Sequence, residues 1–118
     1  MAETIAVIGA SNDRRKFGNK AVRAFVQRGY TVVPINPHED RVEGLPAHAS
    51  VADVPGPIDI VTFYVPPEIG LAVIGDVAAR RPREVWLNPG SDSAALVARA
   101  RALGLEPIVA CSLVGLAT

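Results

Sequence analysis

Thr4-Ile5-Ala6-Val7-Ile8-Gly9-Ala10-Ser11-Asn12 decides the fold. Ile5, Ala6, Val7 and Ile8 form an unbroken apolar run rich in β-branched residues, as a short buried strand requires. The run stops at Gly9, Ala10, Ser11 and Asn12, whose small side chains obstruct little. Turn formers and the cations Arg14, Arg15 and Lys16 carry the chain to Gly18, where a helical pattern takes over. Strand, small-residue turn and helix N-terminus together present backbone N–H groups to a phosphate.

Downstream, the periodicity switches between helix and strand. Ala21, Val22, Phe25, Val26 and Gly29 keep the spacing of one buried helical face, predicting a helix over residues 17–28. A second strand follows at 30–35, where Pro34 lacks an N–H and suits an edge or the end of pairing. Residues 39–57 are irregular, with a small extended excursion at 43–48 and a short turn capped by Ser50. The almost continuously apolar stretch 59–65 predicts a strand covered on both faces. Pro66-Pro67 stops it, and Pro67 or Glu68 opens the next helix. A fourth strand covers 84–87 and closes at Asn88-Pro89-Gly90, after which Ser91 or Asp92 caps a helix ended by Gly104. A fifth strand at 106–110 leads into a small apolar tail, 111–118.

Strands alternating with helices predict a parallel sheet with right-handed crossovers. The expected fold class is α/β: a Rossmann-like three-layer sandwich with a five-stranded, mainly parallel sheet in the order 3-2-1-4-5. One domain is expected over residues 1–118. Hydrophobic residues make up 49% and charged residues 20%, which favours a packed globule over disorder. Lys+Arg and Asp+Glu are 12 each, so the basic excess of a nucleic-acid binder is missing. One Cys forms no internal disulfide, as suits a reducing compartment. No apolar run reaches the ~18 residues of a membrane span, and no secretory leader is recognisable. A soluble cytoplasmic domain is expected.

Ligands of such sheets bind beyond the carboxyl ends of the strands. Here that rim collects Gly9, Ala10, Ser11 and Asn12, then Asn36-Pro37, Val65-Pro66-Pro67 and Asn88-Pro89-Gly90-Ser91. Arg14, Arg15 and Lys16 beside a positive helix end are mutually unfavourable until an anion binds there. A dinucleotide fingerprint needs G-x-G-x-x-G and an acidic residue after the second strand. This chain has no third glycine at that spacing and carries Asn36-Pro37 instead, which counts against NAD. The P-loop pattern is absent.

The ordered set of Gly9-Ala10-Ser11, Gly29-Tyr30 into Pro34-Ile35-Asn36-Pro37, Asp59-Ile60-Val61 into Pro66-Pro67-Glu68, and Trp86-Leu87-Asn88-Pro89-Gly90 resembles the small stand-alone CoA-binding domain proteins. Phe63-Tyr64-Val65-Pro66-Pro67 is also similar to a segment in the CoA-binding domain of succinyl-CoA synthetase alpha subunits. The resemblance implies that Gly9, Ala10, Ser11 and Asn12 meet the CoA pyrophosphate. It implies that Asn36, Pro37, Val65, Pro66 and Pro67 flank the adenosine or pantetheine portions, and that Asn88, Gly90 and Ser91 close the groove. Arg15 or Lys16 would supply a point charge to a phosphate. The ligase relatives act through further domains, so ligase activity is not expected of these residues alone.

No catalytic constellation is legible. His38 and His48 lack a sequence partner and are assigned surface or structural roles. No Cys/His cluster has metal-ligand spacing. Cys111, after the fifth strand, is either a small half-buried residue or a thiol contact for CoA. The expected function is binding of coenzyme A or an acyl-CoA without catalysis, alone or with a protein partner or second copy. An NAD(P)-binding oxidoreductase-type domain, or an interaction module that has lost its ligand, remain as alternatives.

Overall fold

Residues 2–116 are described by the computed structural model. Five parallel strands form the central sheet: β1 (Thr4–Ile8), β2 (Thr31–Ile35), β5 (Ile60–Phe63), β6 (Glu84–Leu87) and β7 (Ile108–Val109). A separate antiparallel pair, β3 (Arg41–Val42) and β4 (Leu45–Pro46), stands beside it. The helices are α1 (Phe17–Gln27), α2 (Pro67–Ala79), α3 (Ala94–Ala102) and α4 (Ser112–Gly115), with a 3-10 turn at Val51–Asp53 capped by Ser50.

The continuous apolar runs are explained by burial of both sheet faces. On β1, Ala6 and Ile8 pack with Val61, Phe63, Val85 and Leu87 against Ile74 and Val77 of α2 and Leu96 and Ala100 of α3. The alternate residues Ile5 and Val7 pack with Val32, Ile60 and Trp86 against Ala21, Val22 and Phe25 of α1 and Leu113 near the C-terminus. Helices on both faces of a parallel sheet make this a Rossmann-like α/β fold.

The sheet runs β2-β1-β5-β6-β7. Beyond β2, His48 makes an isolated parallel bridge to Ile35, its N–H donating to Pro34 O at 3.0 Å and its carbonyl accepting from Asn36 N at 2.9 Å. Counting that bridge as a rudimentary outer strand, the winding 3-2-1-4-5 is present, with β7 added. The segment filling the outer place differs from the sequence expectation, in which the 59–65 strand was the third. Instead Ile60–Phe63 pairs directly with β1 on one side and β6 on the other. All four of its residues are buried, so it needs neighbours on both edges. Pro34 explains why β2 stays near the edge. Its carbonyl faces His48, so its missing N–H lies on the outer side, where no full ladder is needed.

Other boundaries shift locally. Ser93, not Ser91 or Asp92, caps α3, its hydroxyl accepting from Leu96 N at 3.1 Å. The expected apolar tail contains α4, which packs so close to the sheet that a Cβ on Gly115 would overlap the Trp86 ring. Ala117 and Thr118 of that tail lie outside the described residues.

The placement of α1 matters most for the site. Its second residue is Gly18, where a Cβ would overlap the Gly9 carbonyl oxygen. Gly9 itself has φ +90°, and a Cβ there would lie 2.6 Å from Tyr64 O. Backbone thus meets backbone where β1, α1 and the end of β5 converge. Gly18→Ala should cost about 2–3 kcal/mol by overpacking. Gly75→Ala, in α2 with open space around the added methyl, should stabilise by about 0.5–1 kcal/mol. Denaturant unfolding of both variants checks the pair. An unchanged midpoint for Gly18→Ala would contradict the close approach.

Candidate functional site

The carboxyl ends of β1, β2, β5 and β6 surround a cleft of about 730 Å³, a size in the range of cofactor sites, about 300–1,000 Å³. One wall is the β1–α1 loop with the first turn of α1. The others are the turns after β2, β5 and β6. Gly9, Ala10, Ser11, Arg15, Lys16, Asn36, Pro37, Val65, Pro66, Gly90 and Ser91, all chosen from the sequence, line it together. Asn12, Pro67, Asn88 and Cys111 are not among the lining residues. Phe17, Gly18, His38, Tyr64, Ile69 and Pro89 also line it. His38, assigned a surface or structural role from the sequence, therefore stands on the cleft.

The loop's own hydrogen bonds show what is left for a ligand. Ser11 Oγ accepts from Asp13 N at 3.0 Å, which leaves its hydroxyl proton for an acceptor in the cleft. Lys16 is the N-cap residue of α1, and no side chain caps the helix. The Phe17 and Gly18 N–H groups, first in the helix, are therefore without an acceptor among the described residues. Both residues face the cleft, and the helix dipole adds positive potential there.

The two neighbouring cations are not equivalent. Arg15 grips Asp13 in a two-pronged pair, Nε to Oδ1 and Nη2 to Oδ2, both 3.0 Å. That pair holds the Asp13 carboxyl at about 2, mainly through the side-chain hydrogen bond from Arg15, with the Arg15 backbone bond second. Lys16 has no ion pair among the described residues. Arg15 already has a carboxylate partner, whereas Lys16 has none among the described residues.

Asn36 occupies the position where a dinucleotide site carries a carboxylate. Its Nδ2 donates to Ala10 O at 2.8 Å and its Oδ1 accepts from His38 N at 2.7 Å. The side chain thus ties the β2 turn to the β1 loop and brings no negative charge to a ribose.

Beneath the opposite wall lies a buried polar network. Asn88 Nδ2 donates to Thr62 Oγ1 and to Phe63 O, both at 2.7 Å. Its Oδ1 accepts from Ser112 N at 2.8 Å and Ser112 Oγ at 3.0 Å. With its proton given to Asn88, the Ser112 hydroxyl accepts from Thr62 at 2.8 Å and from Tyr64 at 3.1 Å. Asn88 therefore acts as a strut between β5, β6 and α4, which explains its 2% exposure. Burial pushes the Tyr64 phenol above its ordinary pKa, keeping it a neutral donor to Ser112. Cys111 is half-buried at the N-cap of α4. Among the described residues no group of three or more His, Cys, Asp or Glu could hold a metal ion.

Gly18 is the residue whose role the sequence concealed. It provides the close helix–strand approach of a third fingerprint glycine, but residues 12–16 lengthen the loop and move it out of the recognised spacing. The signal available was a glycine just inside a helix start, where helix propensity gives no reason for one.

The family model described as CoA binding domain matches residues 3–117. The alpha subunit of an ADP-forming acetate–CoA ligase II from Pyrococcus furiosus is 41% identical over 63 residues, 52% of this chain and 14% of the subunit. The chain spans less than half the length of the curated relatives it first matches. A solved structure of a conserved hypothetical protein from Pyrococcus furiosus superposes with TM-score 0.85 at 28% identity, covering 98% of this chain and 99% of that one. The dinucleotide-forming acetyl-coenzyme A synthetase 1 of Ca. Korarchaeum cryptofilum, in its apo form, superposes with TM-score 0.78 at 30% identity, over 90% of this chain and 25% of the synthetase chain.

The Asp13–Arg15 pair sets a pH expectation. Because the folded pKa is depressed from 3.8 to about 2, the pair is complete above pH 3.8 and is lost as pH falls towards 2. An NMR titration of the Asp13 carboxyl carbon should give a midpoint of about 2. An ordinary midpoint would mean that Arg15 is free.

Proposed function

We propose that this chain, which belongs to the CoA-binding domain family, holds coenzyme A or an acyl-CoA in the cleft at the carboxyl edge of its sheet. The observation that carries the reading is the uncapped N-terminus of α1, with the Phe17 and Gly18 amides open on the cleft beside Lys16, which has no ion-pair partner among the described residues. The pyrophosphate lies against residues 9–11 and this helix end. Backbone N–H groups and the Ser11 hydroxyl donate to its oxygens, and Lys16 supplies the point charge. Residues 1–118 act as one binding unit.

Asn36, Pro37, Val65 and Pro66 flank the organic portions of the cofactor. Phe17 and Ile69 on the rim are 62% and 50% exposed, apolar surface that a pantetheine arm or adenine would cover. The prolines form rigid walls that lose little entropy on binding. Gly90 and Ser91 close the groove, and Asn88 braces the turn that carries them. Asn36 supports CoA over NAD, because its amide is occupied in bracing the loops and offers no carboxylate to a ribose diol. The role is to hold the cofactor without turning it over.

Parallel calorimetric titrations with CoA, acetyl-CoA, NAD and NADP test this reading. CoA or acetyl-CoA should bind and the nicotinamide cofactors should not; a preference for NAD or NADP would overturn it. Lys16→Ala should weaken CoA about tenfold, near 1.4 kcal/mol. Arg15→Ala should change affinity less than about twofold, since Arg15 is 91% exposed and shares its charge with Asp13. The reverse ranking would assign the phosphate to Arg15.

A further inference from the structure

The β3–β4 hairpin is stitched to the β1–α1 loop by side chains that do not line the cleft. Asn12 turns away from it: Nδ2 donates to Arg41 O at 2.8 Å and Glu39 Oε2 at 3.1 Å, and Oδ1 accepts from Glu43 N at 3.1 Å. Asn19, fully buried on α1, donates from Nδ2 to Ser11 O at 2.8 Å and to Glu43 Oε2 at 2.9 Å. Its Oδ1 accepts from Arg23 Nε at 2.7 Å. Arg14 Nε stands 3.6 Å from the same Glu43 oxygen. One carboxylate on the hairpin therefore braces both a loop cation and the amide that holds the Ser11 carbonyl.

The backbone at Glu43 makes this placement conspicuous. Glu43 and Gly44 form the two-residue turn between β3 and β4, with φ of +48° and +78°. Turns with both central residues at positive φ favour Asn, Asp or Gly at the first place. A Glu is a poor turn former there, but its longer side chain reaches Asn19 and Arg14, which an Asn would not. Such a residue persists where its surroundings hold it.

We infer that Glu43 is a positioning residue for cofactor binding, latching the hairpin to the loop through Asn19 and so holding residues 10–13 in the conformation that meets the phosphates. This rests on the cofactor reading above. It also runs against simple electrostatics: a carboxylate near bound phosphates would weaken binding, so its removal would tighten it.

Two variants separate these effects. Glu43→Asn suits the turn and keeps the hairpin but loses the reach. Glu43→Gln keeps the reach and an oxygen acceptor for Asn19 but removes the charge. In the ligand-free protein, Glu43→Asn should speed amide hydrogen exchange at Asp13 and Lys16, whose N–H groups donate to Ser11 Oγ and Asp13 O, at least about tenfold while leaving Val7 in β1 unchanged. Its CoA affinity should fall roughly five- to tenfold, and Glu43→Gln should stay within about twofold of the natural chain. Unchanged loop exchange, or CoA affinity in Glu43→Asn equal to or tighter than the natural chain, would overturn the latch. Failure of the natural chain to bind CoA would sink the cofactor reading instead, and the exchange comparison would then decide the latch alone.

Discussion

The approach of Gly18 to the Gly9 carbonyl is the contact on which the rest depends. Because neither residue carries a side chain, the first turn of α1 stands directly against the end of β1. Gly9, at φ +90°, in turn lies against the Tyr64 carbonyl. Three backbone segments meet with nothing between them. The helix can then point its open N–H groups at the space where the sheet's winding reverses. Any side chain at Gly18 would push the helix away and separate its dipole from the cleft.

That convergence is held from both sides by polar side chains whose bonds are complete. On one side, Asn36 joins Ala10 O to His38 N, and Asn19 joins Ser11 O to Glu43. On the other, Thr62, Asn88, Ser112 and Tyr64 form a closed set of donors and acceptors. No buried side-chain nitrogen or oxygen among the described residues lacks a partner. A network so satisfied strengthens in a low-dielectric interior and specifies one arrangement of its loops. Loops braced before binding also reduce the ordering cost of holding a flexible cofactor.

Much of this was legible in the chain. The apolar run at 5–8 announced a buried strand and the stretch 59–65 one covered on both faces, and the face of Ala21, Val22 and Phe25 announced α1. Residues chosen for small size at the strand ends do meet around one cleft. The sheet order was harder, because linear periodicity says that a strand is buried but not which neighbour buries it. His48 holds its place through backbone bonds alone, which leave no mark on side-chain pattern. Asn88 and Asn36 were visible as turn residues, yet apart from His38 their partners lie 24–26 positions away. Gly18 was hidden by loop length, and Glu43 by a turn position it does not suit.

The central claim is that a phosphate-bearing cofactor seats on the β1–α1 loop and the start of α1. Amide chemical-shift mapping by NMR during addition of CoA tests it most directly. The largest shifts are expected at Ala10, Ser11, Phe17 and Gly18, with smaller ones at His38 and Tyr64. Saturation with CoA that left those amides unmoved, or shifts centred on β7 and α4, would contradict it.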